Sequence, residues 1–218
     1  MYRLLIIALI CLCACKSEEA PEKVLSLAEN IAYAHGYGNW KNVSEIQFTF
    51  NVDRQSKHYH RSWKWNPRTN VVTMMGKRDT ITYHTNKIDS TNIKVDQGFV
   101  NDKYWALFPF QLVWDKNAYL SPPTNAESPI GNKPLNKTTL TYPETGGYTP
   151  GDAYDIFYDD DYIIREWVFR KGNATKASLT NTFENYKNFN GIKIALEHKK
   201  GDEDWNLNFT DIQIKTIL

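Results

Sequence analysis

Two stretches, Glu45-Ile46-Gln47-Phe48-Thr49-Phe50-Asn51-Val52 and Tyr59-His60-Arg61-Ser62-Trp63-Lys64-Trp65, decide the fold class. In the first, Ile46, Phe48, Phe50 and Val52 alternate with Glu45, Gln47, Thr49 and Asn51. A period of two puts the apolar set on one face of a strand. The second stretch reads as the next strand. Asn66-Pro67-Arg68-Thr69-Asn70 is a turn of the Pro/Asn kind, and Val71 to Met75 returns as a third strand. Gly76-Lys77-Arg78-Asp79 turns again, and Thr80 to His84 is the fourth. Strands spaced about 8–12 residues apart with turns between them predict a meander, sandwich or barrel.

The last third continues in the same style. Strands are expected at Thr138 to Tyr142, Ala153 to Tyr158 and Tyr162 to Phe169, the last two joined by a turn at Asp159-Asp160-Asp161. Residues 176–187, 190–199 and 205–216 complete a meander. Before the strands, Val24, Leu25, Leu27, Ala28, Ile31, Ala32 and Ala34 recur at helical spacing from Pro21 onward, and Gly36 stands as the stop. Between the two β regions, Tyr104-Trp105-Ala106-Leu107-Phe108-Pro109-Phe110-Gln111-Leu112-Val113-Trp114 is a dense apolar run. Pro109 argues against a central strand. The expectation is a short helix up to Phe108 and then an irregular or extended piece. Pro122, Pro123, Pro129, Gly131 and Pro134 predict a long loop over residues 121–136. The sum is a mainly β protein of about 9–11 strands with an N-terminal helix and a short helical plug.

Composition agrees. Aromatics make 14% of the 218 residues, with 13 Tyr and 7 Trp, as suits sheet. Net charge is +1, which excludes the broad basic field of a nucleic-acid binder.

The N-terminus carries a separate message. Arg3 precedes the apolar run Leu4 to Leu12, too short to span a bilayer, which takes roughly 20 residues. A basic start, a short apolar core and a small residue before a cut site are the parts of a signal peptide. Leu12-Cys13-Ala14-Cys15 resembles the lipobox of bacterial lipoproteins. The resemblance implies cleavage before Cys15, a diacylglycerol on its thiol and a membrane anchor there. Residues 1–14 are then signal, 15–22 lipidated Cys and tether, and 23–218 one domain. All three cysteines lie at or before Cys15, so the domain has no disulfide to hold it. Lys16-Ser17-Glu18-Glu19 resembles the surface-export signal of Bacteroidota lipoproteins, and reads equally as a plain polar tether. The periplasmic face and the cell surface of the outer membrane both stay open.

The tail Trp167…Tyr186…Asn190-Gly191-Ile192-Lys193-Ile194, then Phe209-Thr210-Asp211-Ile212-Gln213-Ile214, resembles the closing strands of the LolA/LppX-type lipoprotein-carrier fold. Ala34-His35-Gly36 with Asn39-Trp40-Lys41-Asn42-Val43 resembles the opening of that architecture in Bacteroidota lipoproteins. The resemblance covers most of residues 22–217. It implies a strongly curved antiparallel sheet, an unclosed barrel, with helices stopping its mouth and an acyl chain in its hollow. No individual functional residue transfers with it.

Other chemistry is weaker. His58 and His60 share one face of a strand, but a zinc site needs a third protein ligand, which His84 or an Asp would have to supply. Asp159 to Asp161, with Asp152 and Asp155, lack the spacing of an EF-hand and sit where Asp is a normal turn residue. No nucleophile elbow, phosphate loop or body cysteine is present. No catalytic residue, metal or cofactor is assigned. The aromatic run has two readings. It plugs the core, or it forms a lid in which Trp105, Phe108, Phe110, Leu112 and Trp114 face a bound chain. Phe48, Phe50, Trp63, Trp65, Phe157 and Trp167 would then line the opposite wall. The expected function is to bind or transfer a lipid-like ligand. Alternatives are a ligand-free interaction module serving an envelope protein complex and a metal-independent hydrolase.

Overall fold

The computed structural model describes residues 24–76 and 79–217. The signal segment, Cys15, the tether and the Lys77-Arg78 part of the second turn lie outside the described residues. Helix α1 spans Leu27–Ala34 and begins later than the apolar spacing suggested. Ser26 makes a capping box with Glu29: the Glu29 N–H donates to the Ser26 hydroxyl (3.3 Å), and the Ser26 N–H donates to the Glu29 carboxylate (2.9 Å). Val24, ahead of the cap, is 93% exposed, so its place in the helical pattern is coincidental. Gly36 ends the helix at φ +97°, where a β-carbon would stand 1.9 Å from the Gly191 carbonyl oxygen. Only glycine lets these two turns touch.

Helix α2 (Tyr37–Trp40) leads into β1 (Val43–Arg54), β2 (Lys57–Asn66), β3 (Val71–Met75) and β4 (Thr80–His84). Then come α3 (Ile93–Ala106) and α4 (Phe108–Trp114). The chain continues through β5 (Tyr119–Leu120), β6 (Thr124–Glu127), β7 (Pro134–Thr141), β8 (Ala153–Tyr158) and β9 (Ile164–Arg170). It closes with β10 (Leu179–Thr182), β11 (Glu184–Phe189), β12 (Ile192–Lys199) and β13 (Trp205–Thr216).

The 13 strands of the described residues form two antiparallel sheets. The first runs β11-β12-β13-β1-β2-β3-β4 and the second β10-β9-β8-β7-β5, with β6 also on β7. The long β1–β13 pairing, from Val43 opposite Thr216 to Arg54 opposite Trp205, joins the first and last strands of the described residues. The sheets adjoin where the chain crosses at Phe183. There the Lys199 N–H donates to the Thr182 hydroxyl (2.9 Å) and His198 Nδ1 contacts the Thr182 carbonyl oxygen (3.1 Å). No pairing joins β4 to β5 or β6, so the barrel stays open.

Alternation along the strands makes the core. Ile46, Phe48, Phe50, Trp63, Trp65, Val72, Leu207 and Phe209 build one buried cluster on the first sheet. Leu140, Tyr154, Ile156, Ile164, Trp167 and Phe183 build another on the second.

Three expectations need correction. The central helix starts at Ile93, well before the dense apolar run, and the piece after Phe108 is helix, not irregular chain. Pro109 sits in the first turn of α4, where its missing N–H would have had no partner. Residues 121–136 are not all loop: β6 and the start of β7 form a hairpin there, with Pro134 at the first position of its strand. The expected strand 176–187 is two strands, β10 and β11, one in each sheet, split at Phe183. With β5 and β6, this raises the count to 13.

Candidate functional site

Helices α3 and α4 pack against the inner faces of both sheets. Phe99, Ala106, Leu107 and Phe110 join the first cluster, and Tyr104, Phe108 and Leu112 join the second. Trp105 packs against both. The aromatic run therefore stands in the hollow. Of the residues assigned to its lining, Phe48, Phe50, Trp63, Trp65 and Phe110 are buried on the first sheet's side, with Trp114 packed against them. Phe108, Leu112 and Trp167 are buried on the second sheet's side. The two walls and the plug are in direct contact: Phe108 lies 4.7 Å from Trp167, and Phe99 lies 5.5 Å from both Trp63 and Trp65, ring centre to ring centre.

Phe157 does not belong to that wall. It alternates with Ile156 and Tyr158, so it points to the opposite face of β8, between Lys137 and Glu166. There the buried Glu166 carboxylate accepts from the Ser128 hydroxyl and the Ile130 and Gly131 N–H groups, each at 2.8 Å. These bonds fold the β6–β7 hairpin over the outer face.

A polar latch joins plug to wall. Val95, Phe99, Asp102 and Ala106 follow one another at helical spacing along the α3 face toward the first sheet. Asp102 breaks an apolar stripe and is completely buried. Its carboxylate accepts from Arg61 Nε (2.7 Å) and Nη2 (2.5 Å), from Trp63 Nε1 (2.8 Å) and from Asn101 Nδ2 (3.0 Å). Burial pushes the Asp102 carboxyl above its ordinary value, against the opposing pull of Arg61, Asn101 and Trp63. The Arg61 guanidinium crosses α3 at Gly98, where a β-carbon would meet Nη1 at 3.1 Å. The network continues: Tyr148 donates to Asn101 Oδ1 (3.2 Å), tying α3 to the loop after β7. Tyr104 and Tyr142 share a hydroxyl contact (3.1 Å), and Tyr142 donates to Asp115 (2.6 Å).

Sequence reasoning passed over Asp102 and Arg61. A signal was present: Arg61 falls in the inward-facing series with Trp63 and Trp65.

Of two cavities, only the second borders the plug. One, about 500 Å³, lies where β2 and β3 run together, among Tyr59, His60, Arg61, Ser62, Met74, Met75 and Gly76. The other, about 200 Å³, is an aromatic cleft between α3 and the second sheet, where Tyr104 stacks on Tyr148 at 3.7 Å.

The remaining candidates sit elsewhere. His58 and His60 lie side by side on the surface, and His58 Nδ1 is 2.6 Å from Asp53. Among the described residues no group of three His, Cys, Asp or Glu is arranged to hold a metal ion. Asp159 accepts from the Asp161 and Ile163 N–H groups (3.1 and 2.9 Å) and from Arg165 (2.8 Å), so it organises its turn. Asp155 accepts from Thr139 and Arg170 (2.7 and 3.2 Å).

No protein-family model matches the sequence, and no curated protein matches it. The fold is LolA-like: 13 strands in two antiparallel sheets, few helices and no closed barrel among the described residues. A LolA superfamily protein from Nitrosomonas europaea is similar over 89% of this chain and 96% of its own, at 9% identity and a TM-score of 0.51. A DUF1329 family protein from Desulfovibrio piger is similar over 88% of this chain and 92% of its own, at 10% identity and TM-score 0.45. A domain assigned to outer membrane lipoprotein sorting in Vibrio parahaemolyticus covers 88% of this chain and 94% of its own, at 12% identity and TM-score 0.43.

Proposed function

We propose that this protein is a non-enzymatic envelope carrier that holds an acyl chain or a similar apolar ligand between its two sheets. Helices α3 and α4 act as a stopper that withdraws to admit the chain. A diacylglycerol on Cys15 tethers the domain to the outer membrane.

The observation that carries this reading is the latch. A permanent core would be served as well by an apolar residue at position 102, because pairing a buried carboxylate with the half-buried Arg61 adds little net stability. It does fix one docked position, and it offers a polar group that an incoming ligand with an anionic end can compete for at Arg61. The cavity among Tyr59, Arg61 and Met74 gives such a ligand room beside the Arg61 guanidinium. Likeness to a LolA superfamily protein supports the reading at the level of fold. The interaction module would favour exposed Trp and Tyr patches on one flat face; among the described residues no tryptophan is exposed, and the exposed Tyr33, Tyr59, Tyr119 and Tyr162 stand on different segments.

Native mass spectrometry of the protein released gently from its own envelope tests the carrier. A reproducible added mass that extracts into organic solvent is expected. A clean apo mass, with no uptake of added oleate or phospholipid, overturns it. The anchor has its own test: Cys15→Ser is expected to lose acyl labelling and leave the membrane fraction.

A further inference from the structure

One corner of the hollow, on the second sheet's side, gathers several buried polar groups without a protein partner, where the first sheet's side has Trp65 Nε1 bare as well. Strands β9 and β10 present matched pairs toward the plug: Leu179 opposite Phe169, then Asn181 opposite Trp167. The first pair lines the aromatic cleft, and Trp167 lines it as well. The next pair inward contains a fully buried amide. Asn181 is 0% exposed, and neither its Nδ2 nor its Oδ1 has a protein partner. Trp167 Nε1, across the strand, also has none, nor does His198 Nε2. Buried polar groups are nearly always paired, and each one left bare costs about 1–3 kcal/mol. Several together in an otherwise apolar core call for an explanation.

The groups form a defined set. His198 Nδ1 lies 3.1 Å from the Thr182 carbonyl oxygen, so Nδ1 carries the hydrogen and Nε2 presents a lone pair. Burial holds the ring neutral, with a pKa lowered to about 3. Asn181 offers two N–H donors and one acceptor, and Trp167 one donor. The set is uncharged and mixed, and the residues lining the adjoining cleft include no charged side chain. A carboxylate or phosphate brought here would find no counter-charge and would keep most of its desolvation cost. A neutral group that both donates and accepts would be matched.

Trp105 touches both the set and the cleft. Its ring packs 4.5 Å from Trp167 and 5.3 Å from His198, centre to centre, and it lines the cleft on its other side. Trp105 is only partly buried, and a turn about its side-chain bonds would open the packed corner to the cleft.

We propose that Asn181, His198 and Trp167 form a second, neutral polar subsite at the inner end of the aromatic cleft, gated by Trp105. It takes a carboxamide or hydroxyl group carried on an apolar body. The subsite deepens the carrier reading and rests on it: the hollow takes the apolar part of a ligand, and this corner reads an uncharged polar group on it.

The test uses the full-length protein with labelled tryptophan indoles, observed by NMR during titration with hexanamide, hexanoate and, separately, oleate. Hexanamide is expected to shift the Trp167 and Trp105 indole signals and to bind about tenfold or more tightly than hexanoate. Asn181→Leu is expected to abolish that preference, and His198→Phe is a second variant should the first fold poorly. Equal binding of hexanamide and hexanoate overturns the subsite, as does a Trp167 signal that moves with neither. Oleate separates the two failures. If oleate still shifts the Trp65 and Trp114 indoles, the subsite alone has failed. If it shifts none, the carrier reading has failed as well.

Discussion

The latch at Asp102 and the corner at Asn181 lie on opposite sides of the same helix, and they treat buried polar groups in opposite ways. At the latch every oxygen of a fully buried carboxylate is engaged, by Arg61, Trp63 and Asn101. At the corner a fully buried amide, an indole N–H and a histidine nitrogen have no protein partner. A paired buried charge costs much when one partner is removed. An unpaired buried amide costs something while it stays. The contrast sets a fully engaged charge on one side of the helix against neutral groups without a protein partner on the other.

The sharpest way to break the comparison is to remove the cation. Arg61→Leu leaves the buried Asp102 carboxyl without its cation, and should cost about 3–5 kcal/mol in urea unfolding. Adding Asp102→Leu should recover most of that loss, because two apolar residues need no partner. A single variant as stable as the parent would show that the pair carries no strain of desolvation.

Two tryptophans make a finer comparison. Trp63→Phe deletes a donor to Asp102 and should cost about 1.5–3 kcal/mol. Trp167→Phe deletes an N–H without a partner and should change stability by less than about 1 kcal/mol. Equal losses would remove the distinction between the two sides.

Acid should act on the corner. His198 has a folded pKa of about 3 against 6.5 for the free side chain. Below pH 6.5 the unfolded chain takes up the proton that the folded ring refuses, so stability is full above pH 6.5 and drains as pH falls. Between pH 6.5 and 5 this amounts to about 2 kcal/mol. His35, lowered to about 4 by burial, adds a similar slope from the far end of the core. In His198→Phe the fall in stability over that interval should shrink by the His198 share. An unchanged slope would mean that the ring already titrates normally.

The smallest effect is Asn181→Leu, which replaces a bare amide by an apolar group of similar volume. It should stabilise by about 1 kcal/mol or leave stability unchanged. A loss of several kcal/mol would mean that the amide is satisfied in solution and that the corner is structural.

Much of the shell was legible because its strands obey a strict period of two. Thr80–His84, Val71–Met75, Ala153–Tyr158 and Trp205–Thr216 fall where alternation and turn residues put them. The plug was half legible. Its apolar run announced a buried segment, yet the first turns of α3, Ile93-Lys94-Val95-Asp96-Gln97-Gly98, look like polar loop. The reason is physical: Gly98 makes room for the Arg61 side chain, and Asp102 occupies a core position as its partner, so the residues that build the latch spoil the helical pattern. Phe157 misled because a large apolar residue is assigned inward by default, whereas β8 is covered on both faces. Asn181 and His198 left no trace in sequence, since a polar residue inside a strand reads as solvent-facing until its sheet is seen to be covered.

The central claim is that α3 and α4 leave the hollow as a unit while the sheets stay folded. Hydrogen exchange of the full-length protein, with and without oleate, tests it most directly. The amides of α3 and α4 are expected to exchange through an opening well below the global unfolding energy, and oleate to speed them further while the β1–β13 amides stay protected. If the plug exchanges only with global unfolding, and oleate changes nothing, the helices are core and the carrier account is wrong.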